Sequence, residues 1–226
     1  MCGRFSIALS RDEVIQSLKN DYGIDELKDG IIIPRFNVAP GQEVLSIIND
    51  GKNNRVGTIK WGFVPSFAKD EKIGFGMINA KAETLREKPA FRLSLKTRRC
   101  VILADGFYEW QKNDSSKQPM RIQLTNQSVF PMAGIWSVFV RPDGTKLYTC
   151  SIITCEANQL MKKIHDRMPV ILTKETEKIW LNPLITDSDE LVTLLTPYDS
   201  KLMSYYPVSN LVNSSTNENP DIIKRI

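Results

Sequence analysis

The middle of the chain constrains its fold most. Between Cys100 and Cys155 lie four apolar runs, "CVILADGFYEWQK", "MRIQLTN", "VFPMAGIWSVFV" and "KLYTCSIITC", with short polar clusters between them. Each run is rich in β-branched and aromatic residues, and the clusters are built from turn-forming ones. The pattern predicts consecutive β-strands, and with them a curved sheet or barrel-like core. Helical signals fall outside this block. Ser10 and Glu13 form a capping box before Val14, Ile15 and Leu18, which predicts a helix from Arg11 to Asn20. The Gly- and Pro-rich segment 21–43 reads as loop, and Gly51–Asn54 reads as the turn of a hairpin. After Cys155, "EANQLMKKI", "ETEKIWLN" and "DELVTLLT" read as helices and "SYYPVSN" as a late strand. On composition alone, "NSSTNENP" at 213–220 reads as a disordered tail. The expected class is therefore α+β: a β-rich core with peripheral helices. No linker divides the chain, so residues 1–226 are expected to form one domain.

Composition narrows the functional classes. Hydrophobic residues make up 42% of the chain and charged residues 25%, which excludes a disordered or fibrous protein. A net charge of +4 permits a polyanionic partner without requiring one. There is no apolar run long enough to span a membrane, no signal-peptide pattern, and no myristoylation site. A cytoplasmic, membrane-free protein is expected. The four cysteines form no CxxC pair and His165 is the single histidine, so neither a metal nor a cofactor is expected. Cys100, Cys150 and Cys155 read as small buried strand residues.

Cys2 is different. Removal of Met1 would give it a free amine beside its thiol. Those groups have reference pKa values of about 7.7–8.0 and about 8.5, so both are partly reactive near neutrality. A 1,2-aminothiol attacks aldehydes: the amine forms an imine, and the thiol closes a five-membered thiazolidine intramolecularly. In "GFYEW", Glu109 alternates with Tyr108 and Trp110, so it lies on the opposite strand face. There it is either a solvated residue or a carboxyl with a raised pKa fit for acid–base work. His165, in the loop "IHDRMPV", is either a satisfied structural histidine or a proton carrier. Asn79 and Lys81 in "MINAKAET" share a face in extended chain and could hold a phosphate or a sugar hydroxyl. The run from Arg86 through Arg92 to Arg99 carries Phe91 within it. It reads as a solvated helix face or as a surface for single-stranded nucleic acid. Trp61 and Phe67, in "WGFVPSF", either pack or offer aromatic surface to bases.

Taken in order, "MCGRF", "NVAPGQ", "WGFVPSF", "NAKAET", "FR…RRC", "GFYEW", "MAGIW", "TCEAN" and "IHDRMPV" resemble the SRAP family of abasic-site processing proteins. The resemblance runs from Met1 to about Pro220. It implies a β-rich, barrel-like fold in which "VNSSTNENP" is an ordered closing segment. It implies a monomer that acts on abasic sites in single-stranded DNA at replication forks. It implies Cys2 as the crosslinking nucleophile, Glu109 as acid/base, His165 as the residue assisting ring opening and Schiff-base chemistry, and Asn79 as the holder of the abasic sugar. Arg4, Lys81, Arg86, Arg92, Trp61 and Phe67 are implied as DNA contacts. Lys81 stands where Arg is also common, which keeps the charge but loses the bidentate fork. Phe67 stands where Trp is frequent. The resemblance further implies autocatalytic removal of Met1. Two other classes fit the residues read singly: a non-covalent nucleic-acid-binding module, and an N-terminal-nucleophile amidohydrolase.

Overall fold

A computed structural model of the chain describes residues 2–112 and 117–226. Met1, whose removal the aminothiol chemistry needs, lies outside the described residues, as does the polar cluster at 113–116. In chain order the first elements are β1 (Phe5–Ile7), α1 (Arg11–Tyr22), β2 (Arg35–Val38), β3 (Glu43–Asn49), β4 (Asn54–Trp61) and β5 (Asn79–Lys81). Then follow α2 (Arg92–Thr97), β6 (Arg99–Ala104), β7 (Gly106–Lys112), β8 (Lys117–Leu124), β9 (Phe130–Val140) and β10 (Lys146–Glu156). The chain ends with β11 (Arg167–Pro169), α3 (Lys174–Leu181), α4 (Ser188–Thr193) and β12 (Met203–Pro207), with short 3-10 turns between them.

Five strands close a barrel. β3 pairs with β4 and β6, β6 with β9, and β9 with β10, all antiparallel; β10 then meets β4 in parallel through Thr149 and Cys150. The interior is tight at Gly134 in β9. A β-carbon there would lie 2.3 Å from Ile102 Cδ1 and 3.0 Å from Cys100 Sγ, so only glycine fits without a shift. Cys100, Cys150 and Cys155 are buried and free, filling strand positions as small apolar residues. The C-terminal end of β10 runs on past the ring. There it carries β5 in parallel (Ile152 opposite Asn79) and β11 antiparallel (Glu156 opposite Arg167). A second sheet, in the order β12-β8-β7-β1-β2, lies beside the barrel.

The run "CVILADGFYEWQK" serves both sheets, with β6 in the barrel and β7 in its neighbour. Asp105 stands at the crossing. Its carboxylate accepts from Ser6 Oγ (2.6 Å), the Ala8 amide (2.7 Å) and Arg121 Nη2 (2.9 Å). Both members of the Arg121–Asp105 pair are buried. The guanidinium covers Gly106, where a β-carbon would lie 2.7 Å from Arg121 Cζ.

Several local expectations change. The capped helix α1 extends to Tyr22, where Gly23 stops it in the left-handed conformation, φ 69°. Segment 21–43 contains β2. "EANQLMKKI" forms only the 3-10 turn Met161–Lys163, because β10 extends to Glu156 and Asn158 Oδ1 then caps Met161 N at 2.9 Å. The segment 213–220 is ordered. Asn37 Nδ2 donates to Ser214 O and Asn217 O at 2.9 Å each, and Arg35 pairs with Glu218 at 3.1 Å. No helix among the described residues is long and apolar enough to cross a membrane.

Asp105→Ala is expected to destabilise the fold by about 3–5 kcal/mol, since it leaves Arg121 buried without its counter-charge. A urea midpoint within error of wild type would show that the pair is not what joins the two sheets.

Candidate active site

The N-terminal strand reaches the site along β7. Phe5 lies opposite Phe107, and Tyr108 N donates to Arg4 O at 2.9 Å. This antiparallel register brings Cys2 and Gly3 alongside Glu109. From the other sheet, Asn79 Nδ2 donates to Cys2 O at 2.8 Å. Trp61 ties the same two pieces from behind: its ring packs on Phe5 at 5.4 Å, and its Nε1 donates to Ile78 O at 2.8 Å. The site therefore forms where the barrel and the second sheet meet.

β7 is covered on both faces. Tyr108 packs with Val208, Val212 and Ile222, and Trp110 lies against the same cluster. Tyr108 OH donates to Phe36 O at 2.7 Å, and Trp110 Nε1 to Asn213 Oδ1 at 2.7 Å. Glu109 takes the opposite face and is only 3% exposed, so the solvated reading of this residue is overturned. Burial pushes its pKa up to about 7. Cys2 is fully buried, and burial followed by the charge of Glu109 holds its thiol well above the usual range. At neutral pH the resting thiol is protonated, and Glu109 is close to half-ionised beside it. That pairs a weak nucleophile with a base poised at the working pH.

His165 lies in the loop just before β11. Its Nδ1 accepts the Arg167 amide at 3.0 Å, and burial lowers its pKa, which favours the neutral ring. His165 lines an open cleft of about 1020 Å³ together with Lys81, Trp110, Lys112, Glu156, Lys162, Ile164, Asp166 and Arg167. The cationic side chains of this lining outnumber the acidic ones, so the cleft attracts anions. Gln111 Nε2 donates to Lys163 O at 2.9 Å and fastens β7 to the far wall. Lys112, Lys162 and Trp110 were not selected from the sequence as cleft residues. Lys112 and Lys162 lie 50 positions apart, and only this contact between elements brings them together. Among the described residues no cluster of His, Cys, Asp and Glu is arranged to hold a metal ion.

The model of the SOS response associated peptidases (SRAP) matches residues 1–215. The chain belongs to the SRAP family. "Abasic site processing protein YoqW" of Bacillus subtilis (strain 168) is a 53% identical relative over 226 residues, covering 99% of each chain. "Abasic site processing protein HMCES" of Xenopus tropicalis is 30% identical over 265 residues, covering 100% of this chain and 78% of its own. The solved structure of a protein from Bacteroides thetaiotaomicron superposes with a TM-score of 0.88 at 29% identity, with both chains covered in full.

Within this SRAP fold the expected site residues separate into groups. Cys2, Asn79 and Glu109 meet at the junction, and Lys81 and His165 line the cleft. Trp61 does not offer a stacking surface: it is fully buried, and its ring is used to hold Phe5 and Ile78. Phe91 is likewise buried, edge-on to Phe63 at 5.3 Å. Arg99 leaves the basic surface run altogether. Its guanidinium is buried among carbonyls, with Trp180 O at 2.6 Å and Leu95 O at 2.9 Å. Arg4 has its Nη1 engaged by Asn37 Oδ1 (2.7 Å) and Val212 O (2.5 Å), so it braces the closing segment. Arg86 pairs with Asp189 at the start of α4, and Arg92 opens α2; neither lines the cleft. Phe67 is exposed outside the cleft lining.

The folded chain holds the Glu109 proton more tightly than the unfolded chain does. Its contribution to stability is therefore full below the ordinary carboxylate value and is lost as pH rises through about 7. Glu109→Gln removes this titration. Its stability relative to wild type is expected to rise by on the order of 1–3 kcal/mol between about pH 5 and about pH 8, read from urea midpoints. Parallel pH profiles for the two proteins would show an unshifted carboxyl.

Proposed function

We propose that this chain recognises abasic sites in single-stranded DNA and links itself to them covalently through Cys2 after Met1 has been removed. The observation that carries this reading is the meeting of Cys2, Asn79 and Glu109 at the junction, close in sequence to Lys81 and Trp110, which line a cationic cleft together with His165. The names of the relatives point to the same class of lesion. Hydrolysis of the Met1–Cys2 bond consumes one water and frees the Cys2 amine.

The ring-opened abasic sugar presents an aldehyde at C1′. The neutral amine adds to this carbon, and an N–H proton passes to the oxygen, giving a carbinolamine. Protonated Glu109 gives its proton to that oxygen, water departs, and the nitrogen lone pair forms the iminium. Glu109, now ionised, takes the Cys2 thiol proton. Sulfur bonds to C1′ as the C=N electron pair returns to nitrogen, and the thiazolidine closes. One water is lost overall, and Glu109 ends as it began, which suits a carboxyl titrating near 7. Asn79 fixes the Cys2 carbonyl and so aims the amine and thiol together. His165 assists at the departing oxygen. Lys81, Lys112 and Lys162 meet the phosphates, and Trp110 at the cleft wall suits an unpaired base.

Incubation with abasic and intact oligonucleotides, followed by denaturing electrophoresis, tests the proposal. A heat-stable adduct is expected with abasic single strands only. It should be absent in Cys2→Ala, and absent when an extension keeps the Cys2 nitrogen in a peptide bond. A stable adduct from the extended chain would point to another nucleophile. Equal, purely reversible binding of both oligonucleotides would favour the non-covalent module, and turnover of small amides the amidohydrolase.

A further inference from the structure

Two groups compete for one atom of His165. The Arg167 amide lies 3.0 Å from Nδ1, and Asp166 Oδ1 lies 2.7 Å from the same nitrogen. A neutral ring cannot satisfy both. If Nδ1 keeps its lone pair it accepts from Arg167 and the proton sits on Nε2. If Nδ1 carries the proton it donates to Asp166, and Nε2 becomes the base, as in a Ser-His-Asp triad.

The surroundings favour the first arrangement. The Arg167 amide is fixed by backbone pairing, since Arg167 lies opposite Glu156 in the β10–β11 ladder. The Arg167 side chain is fixed as well. Its guanidinium grips both Glu83 oxygens, at 2.7 and 3.0 Å, and donates to Thr154 O at 2.6 Å. Asp166, by contrast, is 85% exposed at its side chain, so water screens its pull on the ring. The positive charges of the N-terminal ammonium and then of Lys112 also act on the ring, and both oppose protonation.

We infer that Glu83 and Arg167 are positioning residues that hold His165 as its Nε2–H tautomer, so that the ring serves the reaction as a hydrogen-bond donor to a substrate oxygen and not as its base. The substrate part of this inference rests on the function proposed above. A neutral ring of this tautomer has one proton-accepting atom, and that atom is occupied by the Arg167 amide. No proton leaves Nε2, whose loss would require an imidazolate. Base duty then falls to Glu109, and His165 polarises the oxygen that departs, as a neutral imidazole can.

The chain has one histidine, so long-range 1H–15N spectra of the whole protein report this ring without ambiguity. Above the pKa of the ring, wild type is expected to show the Nε2–H tautomer alone, and Asp166→Asn to leave it unchanged. An Nδ1–H ring in wild type would overturn the proposal. In Glu83→Gln both tautomers are expected in exchange; an unchanged Nε2–H ring would show that Glu83 and its grip on Arg167 do not hold the tautomer. A glutamine amide can place an N–H near the Nε2 position but cannot act as a base. His165→Gln is therefore expected to crosslink within about tenfold of wild type, while His165→Ala falls by up to about a thousandfold. Equal loss in both would show that a base is needed there. The spectra decide the tautomer whether or not a crosslink forms, so the two readings fail separately.

Discussion

The hydrogen bond from Asn79 to the Cys2 carbonyl joins two sheets that otherwise meet through packed side chains at this point. The proposed chemistry depends on that meeting. Cys2 and Glu109 belong to the second sheet, whereas Asn79 and His165 are hung from the barrel. β10 makes this possible by doing two things along its length. From Lys146 to Ile152 it closes the barrel against β9; from Ile152 to Glu156 it carries β5 and then β11. One continuous strand therefore transmits the rigidity of a closed ring to the residues that face the cleft.

The second sheet, in which β7 is paired with β1 and β8, has further support on one face of that strand. That support comes from the end of the chain. Tyr108 and Trp110 are anchored against Val208, Val212 and Ile222, while Arg4 and Asn37 bind the carbonyls of residues 212–217. Burying one large apolar side chain contributes about 1.5–3 kcal/mol. The cluster behind β7 can thus offset the cost of keeping Glu109 dry on its other face. The polar composition of 213–220 obscures this role, since its order comes from main-chain carbonyls and caps rather than apolar side chains.

What could be read from the sequence was what short-range chemistry decides. The strands of 99–156, the Ser10 capping box, the β3–β4 hairpin and the alternation of Glu109 with its aromatic neighbours all carry local signals, and the family resemblance gathered the site residues. Burial is not local, and the misreadings follow from that. Trp61 and Phe91 have the composition of a stacking surface, but the fold turns both inward. Arg99 belongs to a basic run by sequence and to the core by structure, because the carbonyls at the ends of α2 and α3 satisfy its guanidinium. The Asp105–Arg121 pair and the Lys112–Lys162 cleft had no signal to find: their members are far apart and separately ordinary.

The burial of Cys2 also bears on selectivity. An exposed aminothiol would react with any small aldehyde it met. Here the thiol is held as the neutral, poorly nucleophilic form, beside a carboxyl that is only partly ionised near neutrality and that the proposed reaction uses to activate it. In the proposed reaction, the proton that Glu109 gives to the departing oxygen leaves the carboxylate ionised at the moment when the thiol proton has to be removed. Sulfur attack is thereby coupled to imine formation at the same carbon. A free aldehyde lacking phosphates gains nothing from Lys81, Lys112 and Lys162 and is not held in place for the second step. Under the proposed function the cationic cleft and the buried thiol would act as successive filters, the first on charge and the second on the ability to complete proton transfer within the site.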